Sequence, residues 1–179
     1  MRSKRARKGK SKLVLVLGGA ASGKSQVALK LAGTARPRAF VATGEALDPE
    51  MSERITRHRA SRSSDWITAE VPVELARWFT SNKQPYQSIV IDCLTLWLSN
   101  IGQRRDFESV TEKVSQLLKA MRASSALVVV VSNELGMGLV PVGKAVRQFR
   151  DAAGKINQQV AAEADEVYFV ISGQSLRIK

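Results

Sequence analysis

The sequence predicts a three-layer α/β domain with a mostly parallel sheet. Short runs rich in β-branched residues alternate with segments of helical period. Those runs are continuously apolar rather than alternating, as strands covered on both faces are. A glycine-rich turn of the form G-x-x-x-x-G-K-S joins the first run to the first helical segment. At 179 residues, 44% hydrophobic and 25% charged, the chain suits one domain with a real core. A disordered chain, a collagen-like repeat and a disulfide-stapled miniature are excluded.

The first twelve residues carry seven Lys or Arg, no acid and no aromatic, and without them the formal charge falls from +12 to +5. Residues 1–12 are therefore predicted to be a basic, disordered tail, and residues 13–179 a single domain. A basic start before Leu13 to Leu17 imitates a secretory leader, but five apolar residues make too short a core for one. With Cys93 alone, no intramolecular disulfide exists, so a reducing cytoplasm is the expected compartment. No apolar run is long enough to span a membrane.

Buried strands are predicted at Leu13 to Leu17, Ala39 to Thr43, Ile89 to Asp92, Ala126 to Val131 and Val167 to Ile171. Weaker candidates are Ile67 to Glu70 and Leu176 to Lys179. Helices follow from Gln26 to Ala32 after the glycine turn, and from Asp48 as N-cap with Pro49 in the first turn. Phe107, Val110, Val114, Leu117 and Met121 recur at spacings of three and four, as do Val146, Phe149, Ala153, Ile156 and Val160. Trp66, Trp78 and Trp97 are expected in the core or a subunit contact.

The turn comprises Gly18, Gly19, Ala20, Ala21, Ser22, Gly23, Lys24 and Ser25. Its glycines let backbone N–H groups curl inward onto phosphate oxygens, and the following helix adds its N-terminal partial charge. Lys24 would neutralise the β- and γ-phosphates and the Ser25 hydroxyl would ligate Mg²⁺. Ser88-Ile-Val-Ile-Asp92 ends a buried strand in a carboxylate. Asp92 is thus a candidate on the metal side, or else a cap for the next helix.

His58 is the sole histidine and lies in a basic helix where Arg54, His58 and Arg62 are four apart, so their side chains can converge. Two roles stand open. Met51 and Ile55 border that face, which suits a partly buried histidine. An imidazole among arginines also suits a nucleophile at phosphorus. Glu134, in the loop after the Ala126 to Val131 strand, is a further candidate for chemistry, and Gly136 and Gly138 suit a ligand approach or a plain turn. Arg147 and Arg150 are read as a solvated helix face.

Taken together, GGAASGKS (Gly18 to Ser25), VATGEALDPEM (Val41 to Met51), RITRHRASR (Arg54 to Arg62), IDCLTLWLSN (Ile91 to Asn100) and SNELGMGLVP (Ser132 to Pro141) resemble one enzyme family. WITAE (Trp66 to Glu70) and the stretch from Phe149 to Gly173 extend the likeness over Leu13 to Lys179. The family is the bifunctional adenosylcobinamide kinase/adenosylcobinamide-phosphate guanylyltransferase of cobalamin biosynthesis. The resemblance implies a RecA-like P-loop fold and a homotrimer. It also implies phosphorylation of adenosylcobinamide by GTP or ATP, then transfer of GMP from GTP through a guanylylated histidine. On this sequence it makes His58 the guanylyl acceptor. Nucleotide contacts fall to the phosphate loop, Ala42, Thr43, Gly44, Arg59, Ala60, Ser61, Arg62, Glu70 and Asp92, with Ser25 and Asp92 on the metal. Ala21 stands where many members carry Arg, which removes one potential phosphate contact.

The alternatives are another small-molecule P-loop kinase that moves only the γ-phosphate, and a nucleotide-controlled RNA-binding protein using the tail. The tail's lack of aromatics argues against the latter, and no nucleic-acid partner is expected.

Overall fold

β1 (Leu13–Gly18) is buried at all six positions. The computed structural model describes residues 11–60, 62–103 and 110–179. β1 pairs in parallel with β5 (Leu127–Asn133) on one side and β6 (Glu166–Ile171) on the other. Beyond β5 come β4 (Ser88–Asp92), β2 (Arg38–Ala42) and β3 (Trp66–Glu70), all parallel. β7 (Gln174–Arg177) runs antiparallel to β6 at the opposite edge, giving seven strands in the order β3-β2-β4-β5-β1-β6-β7.

The continuous apolar runs reflect a core on each face. Leu13, Leu15, Ile89, Ile91, Val128 and Val130 turn to one face, and Val14, Val16, Phe40, Val90, Val129 and Val131 to the other. The first face packs on α3 (Leu75–Ser81), α4 (Leu94–Gln103), α5 (Val110–Ala123) and α6 (Lys144–Glu163). Val27 and Ala28 of α1 (Lys24–Leu31) cover the second. α2 (Pro49–Ala60) begins as predicted, with Asp48 Oδ1 accepting the Met51 N–H at 2.7 Å.

Several expectations shift. Ser11 and Lys12, assigned to the predicted tail, are joined to the domain: Ser11 is buried and donates to Met121 O at 2.9 Å, and Lys12 pairs with Glu166 at 2.7 Å. β2 starts at Arg38 and stops before Thr43, and β5 runs on to Asn133. The weak C-terminal strand begins at Gln174, directly after a turn at Ser172 and Gly173. α3 and α4 are not among the helices predicted from period. α4 buries Leu94, Trp97, Leu98 and Ile101 along one stripe, with Trp97 Nε1 donating to Val73 O at 2.7 Å. The predicted helical position Phe107 and residues 1–10 lie outside the described residues.

At the β2–β3 edge, Arg38 is buried, stacks on Trp66 at 4.4 Å, donates to Gly33 O at 2.7 Å and ion-pairs with Asp65. Hydrogen bonds from Ser63 and then Arg38 hold the Asp65 carboxyl well below the usual carboxylate range. A depressed carboxylate pKa stabilises the fold fully above the unfolded value and loses that contribution as pH falls through the folded one. Asp65→Asn is therefore expected to lower the urea midpoint at pH 7. The gap from wild type should narrow progressively below about pH 4. Leu98→Ala, in the packed core, should cost about 2–5 kcal/mol in urea unfolding with the m-value unchanged.

Candidate functional site

The site forms where β1, β4 and β5 end. A Cβ on Gly18 would lie 2.4 Å from Val170 O, so only glycine lets the chain leave the sheet there. The loop closes at Gly23, whose φ of 94° is left-handed and whose Cα side abuts Gly173, 3.2 Å from where a Cβ would stand. Gly173 N–H donates to Ser22 O at 2.9 Å, so the β6–β7 turn braces the loop from behind. Lys24 is buried at the start of α1, and its ammonium donates to Gly19 O and, at 3.5 Å, to Ser22 Oγ. These bonds hold the charge across the mouth of the loop.

Ser25 Oγ donates to Asp92 Oδ2 at 2.7 Å, joining the first turn of α1 to the end of β4. A hydroxyl and a carboxylate at this separation are hard oxygen donors suited to Mg²⁺, which takes few protein ligands and completes its shell with water and phosphate oxygens. Two such donors leave most of an octahedral shell to water and phosphate oxygens, so the pair fits a metal shared with a phosphate ligand. Cys93, next to Asp92, is buried, and burial followed by the Asp92 charge pushes its thiol up to about 12. It is a packing residue and not a nucleophile.

Facing the loop, α2 and the β2 and β3 ends complete a cleft of about 760 Å³. Lys24, Ser25 and Asp92 line it together with His58, Arg59, Arg62 and Glu70. Met51, Ile55, Leu29, Phe40 and Leu96 give it apolar walls. Arg62 lies 3.8 Å over the Phe40 ring. Burial lowers the Arg62 pKa while Asp92 opposes the shift, so the guanidinium stays charged. Arg59 ion-pairs with Glu70, tying α2 to β3. His58 is exposed on α2 and borders the cleft, so of the two roles left open the partly buried histidine is not what the fold contains.

Ala21, Ser22, Gly23, Ala42 and Gly44 also line the cleft. Gly18, Gly19, Ala20, Thr43 and Ala60 do not. Gly18 is still in the sheet, and Gly19 and Ala20 are exposed on the loop before its inner wall. Thr43 is fully buried, and its hydroxyl donates to Cys93 O at 2.7 Å and accepts from Cys93 N–H at 2.8 Å. The hydroxyl thus clamps β2 to β4. Asn100 reinforces the clamp, donating to Thr43 O at 2.7 Å and Pro72 O at 3.0 Å. Ser61 and the Arg54 side chain lie outside the described residues.

Gln26, Phe40 and Asn133 line the cleft without having been singled out. Asn133 was legible as the polar residue that ends an apolar strand. Arg147 is not a bare solvated residue, since its guanidinium donates to Pro141 O at 2.9 Å and fastens the loop before α6. Trp66 and Trp97 are core residues, and Trp78 stacks on Tyr86 at 6.0 Å.

A family model described as cobinamide kinase / cobinamide phosphate guanyltransferase matches residues 14–178. The chain is 38% identical to the bifunctional adenosylcobalamin biosynthesis protein CobU of Salmonella typhimurium, with 93% of this chain and 99% of that protein covered. The protein of the same description from Escherichia coli is 36% identical over the same shares. The bifunctional adenosylcobalamin biosynthesis protein CobP of Pseudomonas aeruginosa is 37% identical, with 79% of this chain and 82% of that one covered. Among solved structures, the RadB recombinase matches with a TM-score of 0.52 at 18% identity, covering 89% of this chain and 74% of that one. A KaiC-like protein from Pyrococcus horikoshii matches with a TM-score of 0.51 at 12% identity, covering 89% and 71%. These two likenesses show the fold, a RecA-like P-loop α/β domain.

Gly23→Ala places a side chain in the left-handed region against Gly173. It should cost about 1–3 kcal/mol of strain and weaken GTP binding about tenfold or more. The loss of GTP-induced thermal stabilisation checks this.

Proposed function

The chain belongs to the cobinamide kinase / cobinamide phosphate guanyltransferase family, and we propose that it runs both reactions named there from one nucleotide cleft. It phosphorylates the hydroxyl of adenosylcobinamide with GTP or ATP, then transfers GMP from GTP to the phosphate through His58. The observation that carries this reading is that His58 borders the same cleft as Lys24, Ser25 and Asp92. One triphosphate held by the loop can thus present its γ-phosphorus to one acceptor and its α-phosphorus to the imidazole.

In the guanylyl step an unprotonated imidazole nitrogen of His58 bonds to the α-phosphorus, the bond to the α–β bridging oxygen breaks, and pyrophosphate departs. Arg59 and Arg62, beside His58 in the cleft, offset the charge that develops on the α-phosphate. Lys24 holds the β- and γ-phosphates in either step. Ser25 and Asp92 would hold Mg²⁺, which supplies further neutralisation of the phosphate oxygens when bound. The phosphoramidate then passes GMP to the phosphorylated corrinoid, regenerating the histidine.

The homotrimer implied by the resemblance belongs to this reading. Leu139 and Val142, each 97% exposed, supply apolar surface that a subunit contact would cover. No helix among the described residues is long and apolar enough to cross a membrane, in keeping with a cytoplasmic enzyme.

Incubation with GTP and Mg²⁺ should add a GMP-sized mass to the wild type, labile to mild acid, and nothing to His58→Ala. Equal adduct in both proteins would sink the histidine assignment. His58→Ala should keep its kinase activity. Lys24→Ala should slow both reactions about 100-fold or more; near-normal rates in both would count against a shared cleft. Release of GDP without pyrophosphate from GTP would instead identify a simple kinase.

A further inference from the structure

A second cleft of about 670 Å³ opens on the α6 side of the same strand ends. Asn133 and Glu134 divide it from the nucleotide cleft: Asn133 lines the first and Glu134 the second. The division follows from the strand, since Asn133 is the last residue of β5, in register with Gly18, and Glu134 N–H donates to Gly18 O at 3.0 Å. Glu134 is therefore fixed against the first residue of the phosphate loop. Its Oε1 accepts the Gly136 N–H at 2.8 Å, which orients the carboxylate and leaves Oε2 to take a proton.

The rest of the cleft is chemically selective. Arg150 and Lys155 are matched by Glu134 and Asp151, so the lining carries no net charge and suits a neutral polar ligand better than a phosphate. Asn157, only 4% exposed, donates through Nδ2 to Asn133 O at 3.0 Å, while its Oδ1 is buried with no hydrogen-bond partner. A buried acceptor left unmet is unfavourable, and a ligand N–H or O–H in the cleft would satisfy it. Leu17 and Val140 add an apolar wall.

We infer that this second cleft is the acceptor site of the kinase step, binding the hydrogen-bonding, amide-fringed alcohol substrate with Glu134 as general base. The inference rests on the two-reaction reading above and gives its acceptor a site. The substrate hydroxyl oxygen bonds to the γ-phosphorus as the bond to the β–γ bridging oxygen breaks. The nucleoside diphosphate leaves and the hydroxyl proton passes to Glu134 Oε2. Asn157 is a positioning residue: it holds the β5 end from one amide atom and offers the other to an amide of the substrate.

The test is steady-state kinase kinetics with cobinamide and GTP for wild type, Glu134→Gln and the pair Lys155→Ala/Gln158→Ala, two exposed residues of α6 that line this cleft. Intact-mass detection of the GMP adduct serves as a folding control. Glu134→Gln should lower kcat about 100-fold or more, keep KM for GTP, and lose the acidic limb of the pH–rate profile. That limb is read with Arg150, Asp151 and Lys155 of α6 and Lys24 of α1 unchanged. The paired variant should raise KM for cobinamide about tenfold with kcat retained. A Glu134→Gln kcat within about threefold of wild type, or an unmoved cobinamide KM in the paired variant, overturns the acceptor site while leaving the two-reaction reading intact. Wild type that neither phosphorylates cobinamide nor forms the adduct overturns both.

Discussion

A strand covered on both faces and paired on both edges can meet ligand only where it stops. β1 is such a strand, held between β5 and β6 with no exposed position along its length. Its N–H and C=O groups are consumed by neighbours until Gly18, and there the close approach of Val170 O forbids a side chain. The chain must therefore turn out of the sheet as bare backbone, and bare backbone N–H groups are what an anion needs. The position of Lys24, the reach of Ser25 to Asp92 and the wall formed by Asn133 all follow from where the central strands end.

The two clefts are a second result of that geometry. β5 intervenes between the strand that carries the phosphate loop and the strand that carries Asp92. Its last residue serves the nucleotide side, and the next residue serves the other face of the sheet. Thr43, Cys93 and Asn100 keep the register beneath, so polar groups above them can differ in role without loosening the floor. Arg62 illustrates the electrostatic side of this economy. An aromatic ring and a nearby carboxylate let it remain charged while partly withdrawn from water.

Much of the architecture was legible because β1, β4 and β5 are apolar without interruption, and alternation is lost when both faces are covered. The phosphate loop and Asp92 were legible from residue type and position at strand ends. α3 and α4 were not: α3 has seven residues, too few to show a period, and α4 buries the polar Thr95 and Asn100 beside its apolar stripe, which blurs the contrast between its faces. Thr43 shows a related limit: a hydroxyl beside a site looks the same in sequence whether it faces ligand or locks a backbone, as this one does. His58 was undecided from its own neighbourhood. Only the packing of α2 over the strand ends puts its exposed ring at the cleft. Asn157 reaches Asn133, the neighbour of Glu134, across 24 residues, and no local pattern signals that a buried amide oxygen lacks a partner.

The central place of β1 also bears on how the molecule is made. β1 pairs with two strands synthesised well after it: Leu13 is matched with Val128, and Val14 with Glu166. The turn that supports the loop, at Gly173, comes later still. On the ribosome the phosphate loop thus cannot take its final shape until the β6–β7 turn has left the exit tunnel. Until β5 and β6 emerge, the nascent polypeptide holds the apolar β1 without its native neighbours, a natural client for holding chaperones. Nucleotide can stabilise the loop only once that late turn is in place.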